Sequence, residues 1–201
     1  MTPPRTLGEP GDLTGFPTAA PPKHLVRVCR AGRATWWFSA DGSGRFDLHP
    51  PTGNPPTGTC YLATDAFAAV REATRLGPVS TAWVADRELR RVSPPDPNAR
   101  LAATTRQAAG RYGVTPELAT VIPYDLSRRW ATAFRAALFD GIRHQLRHDQ
   151  RARPSGIALF GPAGPADLDD GTRTPLTNAV IEAAGVRVLP PPHSTVLTVV
   201  P

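Results

Sequence analysis

The chain predicts one compact α+β domain, and three observations carry that prediction. Its 201 residues fit a single domain long enough to bury a real core. Short β-branched segments alternate in irregular order with stretches of helical period, which fits neither a helical bundle nor a regular βαβ repeat. Proline and glycine, at 24 and 17 residues, cut the chain into short elements joined by surface loops.

Residues 1–22 combine Pro, Gly and Thr with little apolar periodicity and are expected as a disordered tail. The folded domain is then 23–201. Leu25 to Cys29 reads as a strand. Asp41-Gly42 marks a turn, and Pro50 to Gly58 a loop. Cys60 to Ala63 reads as a second strand. Thr64 or Asp65 can cap a helix running to about Arg75, with Phe67, Val70 and Thr74 as its buried stripe and Glu72 off it, beside Ala68 and Ala69. Val79 to Val84 and Leu89 to Val92 read as a strand pair, and Ala102 to Tyr112 as a helix. The strongest helical period is Trp130, Phe134, Ala137 and Leu138, capped by Ser127 and ended by Gly141. Ile157 to Phe160 reads as a buried strand. Thr174-Pro175 opens a helix that Gly185 closes, and Val196 to Val200 reads as a last strand.

Composition narrows the function classes. No run of about 18 apolar residues exists, so no transmembrane helix is expected. The first residues lack the apolar core of a secretory signal, so a cytoplasmic location is expected. Cys29 and Cys60 sit in apolar contexts and read as buried thiols. The net charge is +6 with Lys23 as the only lysine. The arginines are dispersed, whereas a nucleic-acid footprint gathers them in one stripe. Direct contact with nucleic acid is therefore not expected.

A scattered polar set remains that folding does not demand: Arg27, Gly44-Arg45-Phe46, Tyr61, Glu72, Arg143, His144 and Arg147. Each flanks or interrupts an apolar segment. Taken singly, each has an ordinary reading as a surface charge or a core aromatic. Held together on rigid elements, arginines, aromatics and one carboxylate suit a phosphate-bearing small molecule. No metal site is expected, because His144 and His148 lie in a segment that reads as strand or turn.

The ordered set resembles the RES-domain family. The resemblance spans roughly His24 to Leu189 and rests on Arg27, Gly44-Arg45-Phe46, Tyr61-Leu62-Ala63, Glu72, the Trp130 helix running into Asp140-Gly141-Ile142-Arg143, then Arg147-His148-Asp149 and Ala158-Leu159-Phe160. It implies a fold similar to ADP-ribosyltransferases and a toxin, paired with a DNA-binding antitoxin, that cleaves the N-glycosidic bond of NAD as a glycohydrolase or phosphorylase. It implies Glu72, Arg27 and Tyr61 as catalytic residues and Arg45, Gly44, Phe46, Arg143, His144 and Arg147 as ligand-binding ones. NAD is then substrate, with no resident cofactor; self-association is left open. One departure stands out. The family pattern has Ser before the arginine matching Arg147, and this chain has Leu146, which carries no hydrogen-bonding atom. It also has His144 where the family usually has Tyr. A catalytically impaired NAD-binding domain and a protein ADP-ribosyltransferase are the alternatives.

Overall fold

The computed structural model describes residues 6–51, 53–149, 151 and 155–191. In chain order its elements are β1 (Thr18–Ala19), β2 (Leu25–Arg30), β3 (Trp37–Phe38), β4 (Thr57–Ala63), α1 (Ala66–Thr74), β5 (Val79–Ser80), α2 (Thr81–Ala85), β6 (Arg87–Val92), β7 (Leu101–Ala103), α3 (Asp125–Ala136), β8 (Gly141–Gln145), β9 (Ser155–Pro162), β10 (Gly164–Pro165), β11 (Thr172–Pro175), α4 (Asn178–Ala183) and β12 (Val188–Leu189), with two 3-10 turns, Gln107–Tyr112 and Pro116–Ala119, between β7 and α3. The expected α+β architecture is the one observed. Eight strands form one mixed sheet in the order β1-β7-β8-β9-β4-β2-β6-β11.

The sheet buries both faces. Along β9, Ala158 joins a core with Phe16, Phe46, Trp130, Phe134 and Ile142, while its neighbours Ile157 and Leu159 join another with Leu25, Trp36, Cys60 and Leu62. That alternation is the two-residue period of a strand.

One seam in the sheet decides where a site can form. β2 pairs with β6 from Leu25 to Arg30, and β4 pairs with β9 along its whole length. β2 and β4 themselves pair only at Val26 and Ala63. Beyond that point the two halves of the sheet part, and α1 lies over the junction.

Helix α1 is capped as expected: the Asp65 side chain accepts from Ala68 N at 3.0 Å. Its buried face is rotated from the expected stripe. Ala68, Ala69 and Val70 are buried and Phe67 is 37% exposed. The small alanines let the helix approach Val26, Ala63 and Leu146, with which Ala68 and Ala69 share a core. Glu72 follows Ala68 and Ala69 by four and three residues and so comes inward with them.

Other expectations need correction. Much of residues 6–22 packs on the domain. Leu13 and Phe16 are buried, Trp130 Nε1 donates to Gly8 O at 2.9 Å, and β1 pairs with β7. Two apolar anchors, that hydrogen bond and the strand pairing hold it despite its Pro-rich composition. Thr81–Ala85 is helical because the Ser80 hydroxyl caps Trp83 N. Leu101–Ala103 is a strand, with a 3-10 turn after it in place of the expected helix. Helix α3 begins before Ser127, whose hydroxyl instead reaches Leu118 O. It stops at Ala136, and Leu138, in a left-handed conformation and 74% exposed, lies outside it. Thr172–Pro175 is an edge strand, and Thr177 caps α4. The expected strand Val196 to Val200 lies outside the described residues.

Candidate functional site

A cleft of about 400 Å³ opens at the seam between β2 and β4. All the sequence-predicted site residues line it except Arg143. Strand alternation explains the exception. His144 faces the cleft, so its neighbour Arg143 faces away, placing Nε 3.3 Å from Ser155 Oγ beside a second cavity with Arg106 and Arg151.

Arg27 sits where the sheet parts. Its Nη1 donates to Thr35 O at 2.5 Å and lies 3.1 Å from Cys60 Sγ. These contacts fix the guanidinium against Thr35, ahead of β3, and against Cys60 on β4.

The turn Gly44 to Asp47 is a locked unit. Tyr61 Oη donates to Asp47 Oδ1 at 2.7 Å and accepts from Phe46 N at 2.8 Å. Asp47 Oδ2 accepts from Gly44 N at 2.8 Å. A Cβ on residue 44 would strike both Tyr61 Oη and Asp47 Oδ1, so only glycine fits. Burial raises the Asp47 pKa, opposed by the Tyr61 hydrogen bond. Burial, then the neighbouring Asp47, raises that of Tyr61 well above its ordinary value. Tyr61 therefore keeps its proton and acts on the site through this turn.

The turn presents Arg45. Its Nη1 donates to Val121 O at 2.7 Å, and its guanidinium lies 4.3 Å from the Tyr124 ring centroid. Its Nη2 is buried with no hydrogen-bond partner among the described residues. Burial lowers the Arg45 pKa; the like charge of Arg147 lowers it further and Glu72 raises it, so both sit within its electrostatic reach. Phe46 lines the cleft, is fully buried and backs His144, with ring centroids 4.7 Å apart.

His144 rests over Gly156, where a Cβ would collide with its ring. Its Nδ1 is 2.8 Å from Gln145 O. The carbonyl can only accept, so Nδ1 carries the proton and Nε2 is a bare acceptor. Burial, chiefly, lowers the pKa from 6.5 to about 4. An unfolded chain protonates this ring near 6.5 and the folded one only near 4, so below 6.5 the unfolded state binds more protons. Stability is then complete above 6.5 and falls as pH drops towards 4, by about 3 kcal/mol for this group. Urea unfolding at pH 7 and pH 4.5 is expected to show that loss in the wild type and a much smaller one in His144→Phe; equal losses would contradict it.

Glu72 enters from α1. Its Oε1 accepts from His148 N at 2.7 Å, which ties the helix to the segment after β8. That segment is anchored by Asp149, whose side chain is fully buried and pairs with Arg71 and Arg151. Arg151 also reaches Asp65, the cap of α1. Arg147 is exposed at the cleft mouth. Leu146 is buried against Val26, Ala63, Ala68 and Ala69 and lines the cleft floor with no hydroxyl to offer.

Sequence reasoning missed Asp47, Arg75 and Tyr124. Arg75 and Tyr124 line the cleft beside the expected set. Asp47 had a signal: an acidic residue between Phe46 and Leu48 is out of place on an apolar run unless it is buried with partners.

The arrangement gathers the cations Arg27, Arg45 and Arg147 around one carboxylate, Glu72, in a concave site. Comparison with known proteins identifies a family and a similar fold. The family model described as RES domain matches residues 24–178. A chain of the crystal structure of the M. tuberculosis MbcT-MbcA toxin-antitoxin complex is similar in fold, with a TM-score of 0.63, 16% identity, and coverage of 86% of this chain and 93% of that one. No curated protein matches the chain.

Proposed function

The chain belongs to the RES-domain family, and from that premise we propose that its cleft binds NAD and breaks the N-glycosidic bond to nicotinamide. The observation that supports this most is the convergence of Arg27, Arg45, Arg147 and Glu72 on one cleft. NAD carries two phosphates, and guanidiniums bind phosphate oxygens in forked geometry. Breaking the glycosidic bond builds positive charge on the ribose ring, as in glycoside hydrolysis. Glu72, held through Oε1 by His148 N, is the carboxylate placed to stabilise that charge. Arg27, which lines the same cleft, is held by Thr35 O. Tyr61, through Asp47, holds Arg45 at the site. Water or phosphate takes the ribosyl carbon, giving ADP-ribose or its phosphate ester.

In this reading the protein is the toxin of a toxin–antitoxin pair, acting by NAD depletion, and a cognate DNA-binding antitoxin covers the cleft. The similar solved chain comes from a toxin-antitoxin complex. Purified protein incubated with NAD, with and without phosphate, is expected to release nicotinamide, and co-expression with the product of the adjacent gene to suppress that release. Intact NAD after prolonged incubation would sink the reading.

Leu146 favours a second reading, an NAD-binding domain with impaired turnover. Leu146→Ser separates the two. Where the missing hydroxyl limits catalysis, the variant releases nicotinamide about tenfold faster, the worth of one good hydrogen bond, and loses about 3 kcal/mol of stability from the emptied core position. An unchanged rate shows that the cleft works without it.

A further inference from the structure

The NAD reading leaves two cleft atoms unexplained. Arg45 Nη2 and His144 Nε2 are both buried, and neither has a hydrogen-bond partner among the described residues. Buried polar atoms in folded proteins are nearly always paired, so two orphans on residues that line one cleft ask for a common explanation.

Their chemistry is complementary. Arg45 Nη2 can only donate. His144 Nε2 can only accept, because Nδ1 is committed as donor to Gln145 O. Both residues are fixed from behind. Arg45 is held by Val121 O and the Tyr124 ring. His144 is wedged between Phe46 and Gly156, the latter lacking the Cβ that would displace the ring. Arg45 also contributes to keeping the imidazole neutral, so the two groups are within electrostatic reach of each other.

We propose that Arg45 and His144 together read a primary carboxamide on the ligand, the carbonyl oxygen accepting from Arg45 Nη2 and the amide NH2 donating to His144 Nε2. The proposal rests on the NAD reading and adds to it a specificity determinant carried by His144, where the family pattern usually has Tyr. A carboxamide sets an acceptor and a donor side by side. A carboxylate, a phosphate oxygen or a methyl ketone satisfies Arg45 but leaves the imidazole nitrogen facing an acceptor or a methyl group. A site built around a buried acceptor rejects a ligand that lacks the matching donor, because the acceptor stays unpaired.

Calorimetric titration of Glu72→Gln protein, which should not consume ligand, with NAD and with its 3-acetylpyridine analogue tests this. The analogue keeps the carbonyl and replaces NH2 by methyl. NAD is expected to bind roughly tenfold more tightly, the factor for one unpaired buried acceptor. Adding His144→Phe, which keeps a ring of similar size without the acceptor, should abolish the preference. Adding His144→Gln, whose amide oxygen reaches the same distance along the chain, should keep it. Equal binding of the two dinucleotides by the parent overturns the proposal while leaving NAD recognition intact, and is the result expected if Arg45 and His144 simply hydrogen-bond each other. A preference that survives in the Phe variant overturns it as well, assigning discrimination to another group. Failure of both dinucleotides to bind overturns the NAD reading and this inference together.

Discussion

Glu72→Gln is expected to lower nicotinamide release from NAD by at least ~100-fold while leaving the unfolding midpoint within about 2 °C of the wild type. The two side chains match in shape, and a glutamine carbonyl oxygen can still accept from His148 N, the one hydrogen bond Glu72 makes among the described residues. In the proposed reaction, what is lost is the negative charge assigned to the carbon that becomes cationic as the glycosidic bond breaks. A stabilising charge in a partly water-excluded cleft is worth more in the transition state than in the bound ground state, so the loss should appear in kcat more than in KM. A variant that binds NAD with wild-type affinity and turns it over slowly fits this account. Equal turnover assigns the chemistry to another group.

The second large effect is expected away from the reacting atoms. Asp149→Asn should destabilise the fold by about 4 kcal/mol, because it removes one partner from a buried ion pair and leaves the other uncompensated. The Asp149 side chain is fully buried and that of Arg71 is 22% exposed, so Arg71 keeps little access to water. The pair with Arg151 is discounted, since that guanidinium is 40% exposed and recovers solvation readily. The measurement is the urea midpoint at constant slope. A functional consequence should accompany it. Asp149 holds the segment whose His148 N–H holds Glu72, and Arg151 ties the same carboxylate to the cap of α1. Loosening that segment is expected to raise KM for NAD and lower kcat together. A shift of less than about 1 kcal/mol would place Asp149 among surface charges.

Legibility in the sequence followed how local each signal was. The cap and extent of α1 were readable because Asp65 acts on backbone three residues away. The cores of β2, β4 and β9 were readable from β-branched and apolar runs. The rotation of α1 was not, because it depends on which helix face meets the seam, and Phe67 outweighs two alanines on any hydrophobicity count. Residues 6–22 were misread for a similar reason: Leu13 and Phe16 find their partners across the chain, in Phe134 and Phe139 among others.

The site divided in the same way. Arg27, Arg45, Tyr61, Glu72 and Arg147 were found through an ordered resemblance and do line one cleft. Their partners were not found. Asp47, Val121 and Tyr124 carry no motif, and they fix Tyr61 and Arg45 through contacts that only the folded chain creates. Arg143 was misassigned because its register on β8 is set by pairing with Ile157 on β9, and a one-residue slip would exchange it with His144.

The most direct test of the account is a crystal structure of the Glu72→Gln protein with NAD bound. The account predicts the dinucleotide in the cleft at the β2–β4 seam, phosphates on the arginines, the glycosidic carbon beside residue 72 and the carboxamide between Arg45 and His144. A dinucleotide seated elsewhere, or lying in the cleft with its nicotinamide ribose remote from residue 72, would contradict it.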